Sequence, residues 1–142
     1  MAGIKVVAHY NRGVSRFYSL SDADAMVPEI ALVVERLRGQ RDEIAALGDQ
    51  YRLKEAAGTD DPELARLRLR MRGLVDQMQA DVAWLDEREI VLRDISTGLL
   101  DFPALAGGRP VWLCWRLGED EVAWWHEVSS GFEGRQRMED LV

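Results

Sequence analysis

The sequence predicts an α+β domain, a long antiparallel helical hairpin followed by a small antiparallel β-meander of three or four strands. Two observations carry that expectation. From Ser19 to Arg88, apolar residues recur every three or four positions, with one break at Gly58-Thr59-Asp60-Asp61. From Ile90 onward the pattern changes to short β-branched and aromatic runs bounded by glycine, proline and acidic residues. The 142 residues suit a single domain. Residues 1–18 form an N-terminal extension, 19–88 the hairpin, and 90–137 the meander and C-terminal tail.

In the extension, Ile4, Val6 and Ala8 alternate with Lys5, Val7 and His9 before a turn at Asn11-Arg12-Gly13, which fits an edge strand. The first helix opens at Ser19-Leu20-Ser21-Asp22, where a hydroxyl caps the free amides and a carboxylate follows three residues on. Its apolar stripe runs Val27, Ile30, Val34, Leu37, Ile44, Tyr51. Pro28 lies inside the stripe and is expected to kink the helix, because it has no N–H for the preceding turn. Asp61-Pro62-Glu63 restarts the pattern, with Asp61 as the expected cap. The second stripe is Leu64, Leu67, Met71, Leu74, Met78, Leu85 and Leu92, with the helix reaching about Glu87 over roughly 40 Å.

The short connection folds the helices back on each other, placing Ile44 near Leu74 and Val34 near Leu85. Arg41 and Asp81 then fall on the seam and are expected to pair. Arg66, Arg68, Arg70 and Arg72 are expected to meet Glu35, Asp42, Glu43 and Asp49 on the first helix. Met26, Val33, Leu47, Leu53, Val75 and Val82 lie off the main stripes. Burying them calls for two hairpins in a coiled-coil-like four-helix arrangement, so a homodimer is expected.

The net charge of -7 and pI near 4.9 repel phosphate backbones and anionic membranes, which argues against nucleic-acid and membrane partners. One cysteine cannot form an internal disulfide, and no apolar run approaches the ~20 residues of a membrane span. A cytoplasmic protein is the simplest expectation. No phosphate-binding loop, nucleotide fingerprint or serine triad occurs, so no cofactor is expected.

Rare residue types crowd into the C-terminal third. Four of the five tryptophans (Trp112, Trp115, Trp124 and Trp125) lie there with Cys114 and His126. A four-residue turn at Gly118–Glu121 would pair Leu117 with Val122, Cys114 with Trp125 and Leu113 with His126. Leu113, Trp115, Trp124 and His126 then face the core, and Trp112, Cys114, Arg116, Trp125 and Glu127 face away. The outward set, with Asp101, Arg109 and Arg135 around it, is the candidate site.

Four readings compete for it. A non-catalytic dimeric scaffold or interaction protein asks least of these residues, since tryptophan and arginine are typical interface anchors. The alternative is a small anionic ligand held by Arg109, Arg116 and Arg135 over tryptophan faces. Zinc or iron binding would use Cys114 and His126 with Asp101 or Glu127. Thiol catalysis needs Cys114 and His126 on one face, which requires a register different by one residue.

The motifs Asp101-Phe102-Pro103-Ala104, Gly108-Arg109, Cys114-Trp115-Arg116, Gly118-Glu119, Trp125-His126-Glu127, Gly131-Phe132 and Gly134-Arg135, with Gly98, resemble the signature of an uncharacterised bacterial family, domain-of-unknown-function family 2203. Tyr18-Ser19-Leu20 resembles that family's aromatic–hydroxyl–leucine opening, and the likeness spans about residues 17–137. Two departures stand out: the first sixteen residues look like an extension, and Glu89 stands where the pattern implies glycine. The resemblance implies the architecture and carries no activity.

Overall fold

A computed structural model describes residues 16–140, so the expected edge strand within residues 1–18 lies almost wholly outside the described residues. Helix α1 (Leu20–Ala56) starts as expected: Ser19 caps it, its Oγ accepting the Asp22 N–H at 3.0 Å. The helix runs on through Pro28 without a break. Helix α2 (Asp61–Glu87) is capped by Asp60 rather than Asp61. The Asp60 carboxylate accepts the Glu63 N–H at 3.1 Å, which moves Pro62 one place into the first turn.

The helices pack antiparallel, with Lys54–Glu63, Gln40–Gln77 and Arg36–Asp81 contacts bridging the seam along its length. The expected Arg41–Asp81 pair does not form. Asp81 instead takes a two-pronged contact from Arg36, at 2.9 and 2.7 Å, more than one turn earlier on α1. Arg41 turns to Asp42 and to the Ser96 hydroxyl. Of the four arginines on α2, Arg70 meets Glu43 and Arg68 lies against Tyr51.

The C-terminal half is a sheet in the order β1 (Val91–Asp94), β2 (Leu99–Ala106), β3 (Arg109–Arg116), β4 (Trp124–Glu127), β5 (Gln136–Arg137), each antiparallel to its neighbours. The described residues thus hold five strands; β5 is two residues long and had no legible period. One sheet face packs on the helices. Leu100, Phe102, Ala104, Val111, Leu113, Trp115 and Trp125 meet Val27, Ile30, Val34, Leu37 and Leu85 in one core.

Three contacts lock helices to sheet. Tyr18 sits edge-on to Phe102, donates its N–H to the Pro103 carbonyl and its hydroxyl to the Arg88 carbonyl. α2 ends with Ile90 N–H bonding back to Leu85 C=O and Glu89 N–H to Asp86 C=O, the pattern that closes a helix on a left-handed residue. That residue is Glu89, at φ 58, which explains why the family pattern implies glycine there. Gly98, at φ 69, lies where any Cβ would come within 2.6 Å of Leu117 and 2.9 Å of Val34.

The sheet covers only the base of the hairpin. Of the residues expected to need a second hairpin, Val33 is buried in the core shared with the sheet, Met26 and Val82 pack partly buried against that core, and Leu47 is buried within the hairpin. Among the described residues, the hairpin beyond Gln40 has no third layer. Leu47 and Leu64 are its buried apolar residues, while Leu53 is 73% and Leu69 71% exposed.

Candidate functional site

The strand register decides the site. β3 and β4 pair Leu113 with Trp125, Trp112 with His126 and Cys114 with Trp124, one residue away from the expected pairing. A one-residue slip exchanges faces. Trp125 therefore goes to the core, and Trp124 and His126 join Trp112 and Cys114 on the outer face. The expectation that Cys114 and His126 lie on opposite faces is overturned.

The reason lies in the connection, Leu117–Ala123, which is longer than a four-residue turn. Val122 does not extend β4. It is buried against the helices, with its N–H bonded to Asp24 of α1 at 2.7 Å. Glu119 folds the other end back: its carboxylate takes the Arg116 N–H, and its carbonyl takes the Trp115 indole N–H.

On the outer face Asp101 stands between three neighbours. Cys114 is directly opposite it in the β2–β3 ladder. His126 Nε2 lies 2.9 Å from Asp101 Oδ2, and Arg93 Nε lies 2.7 Å from the same oxygen. Arg93 comes from a β-bulge between Leu92 and Asp94, the kind of irregularity that re-aims a side chain. Its guanidinium also covers the buried Trp112 ring, 4.8 Å from the centroid. These groups floor a cleft of about 250 Å³, with Asp94, Leu99, Val128, Ser130 and Gly131 around it.

The protonation states follow from the partners. His126 Nδ1 lies 2.9 Å from the Glu127 carbonyl, so both ring nitrogens face acceptors. Only the doubly protonated ring donates to both. Burial pushes the His126 pKa down, but the hydrogen bond and charge of Asp101, with the Glu127 carbonyl, outweigh burial and the opposing Arg93, and raise it. The Cys114 thiol is pushed up to about 12, first by burial and then by the negative charge of Asp101, with Arg135 opposing. It stays protonated at neutral pH.

This arrangement answers the chemical readings. A nucleophilic cysteine needs thiolate character, and a general base needs a free nitrogen; Cys114 lacks the first and His126 the second. Among the described residues no group of three or more His, Cys, Asp or Glu is placed to hold a metal ion, although Cys114 and His126 do share a face.

The expected site residues separate into two groups. Asp101 and Cys114 line the cleft, and Trp112 is buried beneath Arg93 at its edge. Arg116 follows Cys114 at the end of β3 on the same face. The others are engaged elsewhere: Arg109 forks onto Glu127 at 3.1 and 3.0 Å, and Arg135 bonds Glu119 at 2.9 Å while lying over Trp124. Trp125 is core, its indole N–H on the Arg137 carbonyl. Arg93 was not visible as a site residue, because nothing in the sequence marks a bulge.

A family model described as "Uncharacterized conserved protein (DUF2203)" matches residues 16–138. The chain belongs to the DUF2203 family. No curated protein and no solved structure matches it. The match takes in the cap at Ser19, both helices and all five strands, so the hairpin and the His126–Asp101–Arg93 cluster both lie within the part that the DUF2203 model describes. Among the described residues no helix is long and apolar enough to cross a membrane.

Proposed function

We propose that this DUF2203 protein is a homodimeric, non-catalytic scaffold whose hairpins pair side by side into a four-helix arrangement. One observation carries the reading: α2, 27 residues long, buries only Leu64 and Leu85. A helix of that length takes most of its stability from packing an apolar face. Leu67, Met71, Leu74 and Met78 are half-buried against α1, and Leu69 and Val75 face solvent.

A second copy suits this face in size and charge. The hairpin side is about 40 Å long and about 20 Å wide, roughly the 800 Å² that a standard interface takes from each partner. Arg66 and Arg72 on α2, and Glu35 and Glu55 on α1, have no ion-pair partner within the described residues of one chain. A two-fold partner brings one copy's α2 arginines toward the other's α1 acids.

Light scattering coupled to size exclusion tests this. The wild type should elute at about twice 16.1 kDa. Leu53→Asp with Leu69→Asp should give a folded monomer with unchanged tryptophan fluorescence. A wild type that stays monomeric at high micromolar concentration sinks the proposal.

A further inference from the structure

We propose that the cleft on the outer face of the sheet is a binding site for a small carboxylate that carries an adjacent hydroxyl or ammonium hydrogen. Three observations, independent of the hairpin, point to this ligand.

The first is an unanswered acceptor. Asp101 is 1% exposed, and its Oδ2 serves both His126 and Arg93, yet its Oδ1 has no hydrogen-bond partner among the described residues. A buried carboxylate oxygen left so is costly, and such groups call for an explanation. The Cys114 thiol opposite offers the carboxylate only a weak S–H contact, and no donor among the described residues stands within hydrogen-bond distance of Oδ1, which leaves that oxygen for a strong O–H or N–H from a ligand.

The second is an unanswered donor. Arg109 uses two nitrogens of its fork on one carboxylate, whereas Arg93 meets Asp101 through Nε alone. Its two terminal nitrogens have no partner among the described residues. The side chain is 28% exposed, at the cleft, and already held in place over Trp112. A guanidinium fixed in this way presents a planar pair of donors to a carboxylate.

The third is charge and shape. Arg93 and the doubly protonated His126 set two positive charges against the single negative charge of Asp101. Asp94 at the rim is exposed, and its carboxylate caps the Ser96 N–H. An anionic group at Arg93 balances the floor. Leu99 and Val128 give the cleft apolar sides, and a volume of about 250 Å³ suits a metabolite of a few heavy atoms. With both nitrogens of His126 occupied, the site binds such a molecule without a base to act on it.

NMR titration of the full chain with acetate, glycolate and glycine tests this, since the last two differ from acetate by one donor each. Glycolate or glycine should shift the His126, Gly131 and Arg93 Nε resonances and saturate at about a tenfold lower concentration than acetate. Which of the two wins identifies the donor. Arg93→Gln, at a partly exposed position, should abolish saturation by all three while its amide spectrum stays dispersed like that of the wild type. Asp101→Asn should bring the preferred ligand down to the acetate level. Equal saturation by the three in the wild type overturns the donor at Asp101. No saturable shift with any of them up to about 100 mM, or unchanged binding in Arg93→Gln, overturns the site.

Discussion

At Glu89 a side chain occupies the left-handed conformation that closes α2, at a cost of order 1 kcal/mol that glycine does not incur. Glu89→Gly should therefore stabilise the protein by about 0.5–1 kcal/mol in urea denaturation, against the usual direction for a residue-to-glycine change. Gly98 is the opposite case. Gly98→Ala places a methyl 2.6 Å from Leu117 Cβ at positive φ, and should cost about 2–4 kcal/mol by the same measurement. His126 gives a pH signature. Its pKa is raised in the folded chain by Asp101 and the Glu127 carbonyl, against burial and Arg93. Its contribution is thus fully present below the unfolded value near 6.5 and is lost as pH rises through the folded value. The melting temperature of the wild type relative to His126→Gln should fall as pH rises from about 6 to 9. A difference that grows with pH instead would mean that His126 is buried neutral.

At the scale of elements, both helices were legible because caps and a 3.6-residue period each act within a few residues: Ser19 and Glu87 fall where the pattern puts them. The strands were legible as apolar runs, but their register was not. Register here depends on Val122, which looks like the first residue of β4 yet is drawn out of it by Asp24, 98 positions away. No local rule sees that contact, and missing it turned Cys114 and His126 away from each other. Arg93 was lost to the same kind of blindness, since its bulge is a property of two paired strands. The role of Asp24 can be tested directly. Asp24→Ala removes the acceptor from a buried N–H and should cost about 1–3 kcal/mol. Amide exchange at Val122 and at Trp124–Glu127 should speed up, while the α2 amides stay protected. Exchange that rises equally everywhere would place Asp24 outside the β3–β4 connection.

The described residues divide into a base, where helices and sheet share one core, and a tip of two helices with no third layer among them. Local stability should follow that division, because segments with few buried apolar contacts open at lower free energy than the core. In a single chain the amides of residues 41–74 should exchange well ahead of those at Ile30, Leu37 and Leu85, since Leu47 and Leu64 alone are buried along that stretch's apolar seam. Dimerisation changes the expectation in a specific way. A partner that binds the folded tip stabilises it by mass action, so tip protection rises with protein concentration while base protection stays at the global value. Hydrogen exchange followed by mass spectrometry across a hundredfold dilution series separates the two cases. Protection in 41–74 that climbs with concentration, and is lost in Leu53→Asp with Leu69→Asp, places the interface on the hairpin. Tip protection equal to the base and independent of concentration would mean that the two-helix seam is sufficient alone, and that the exposure of Leu53 and Leu69 calls for no second copy.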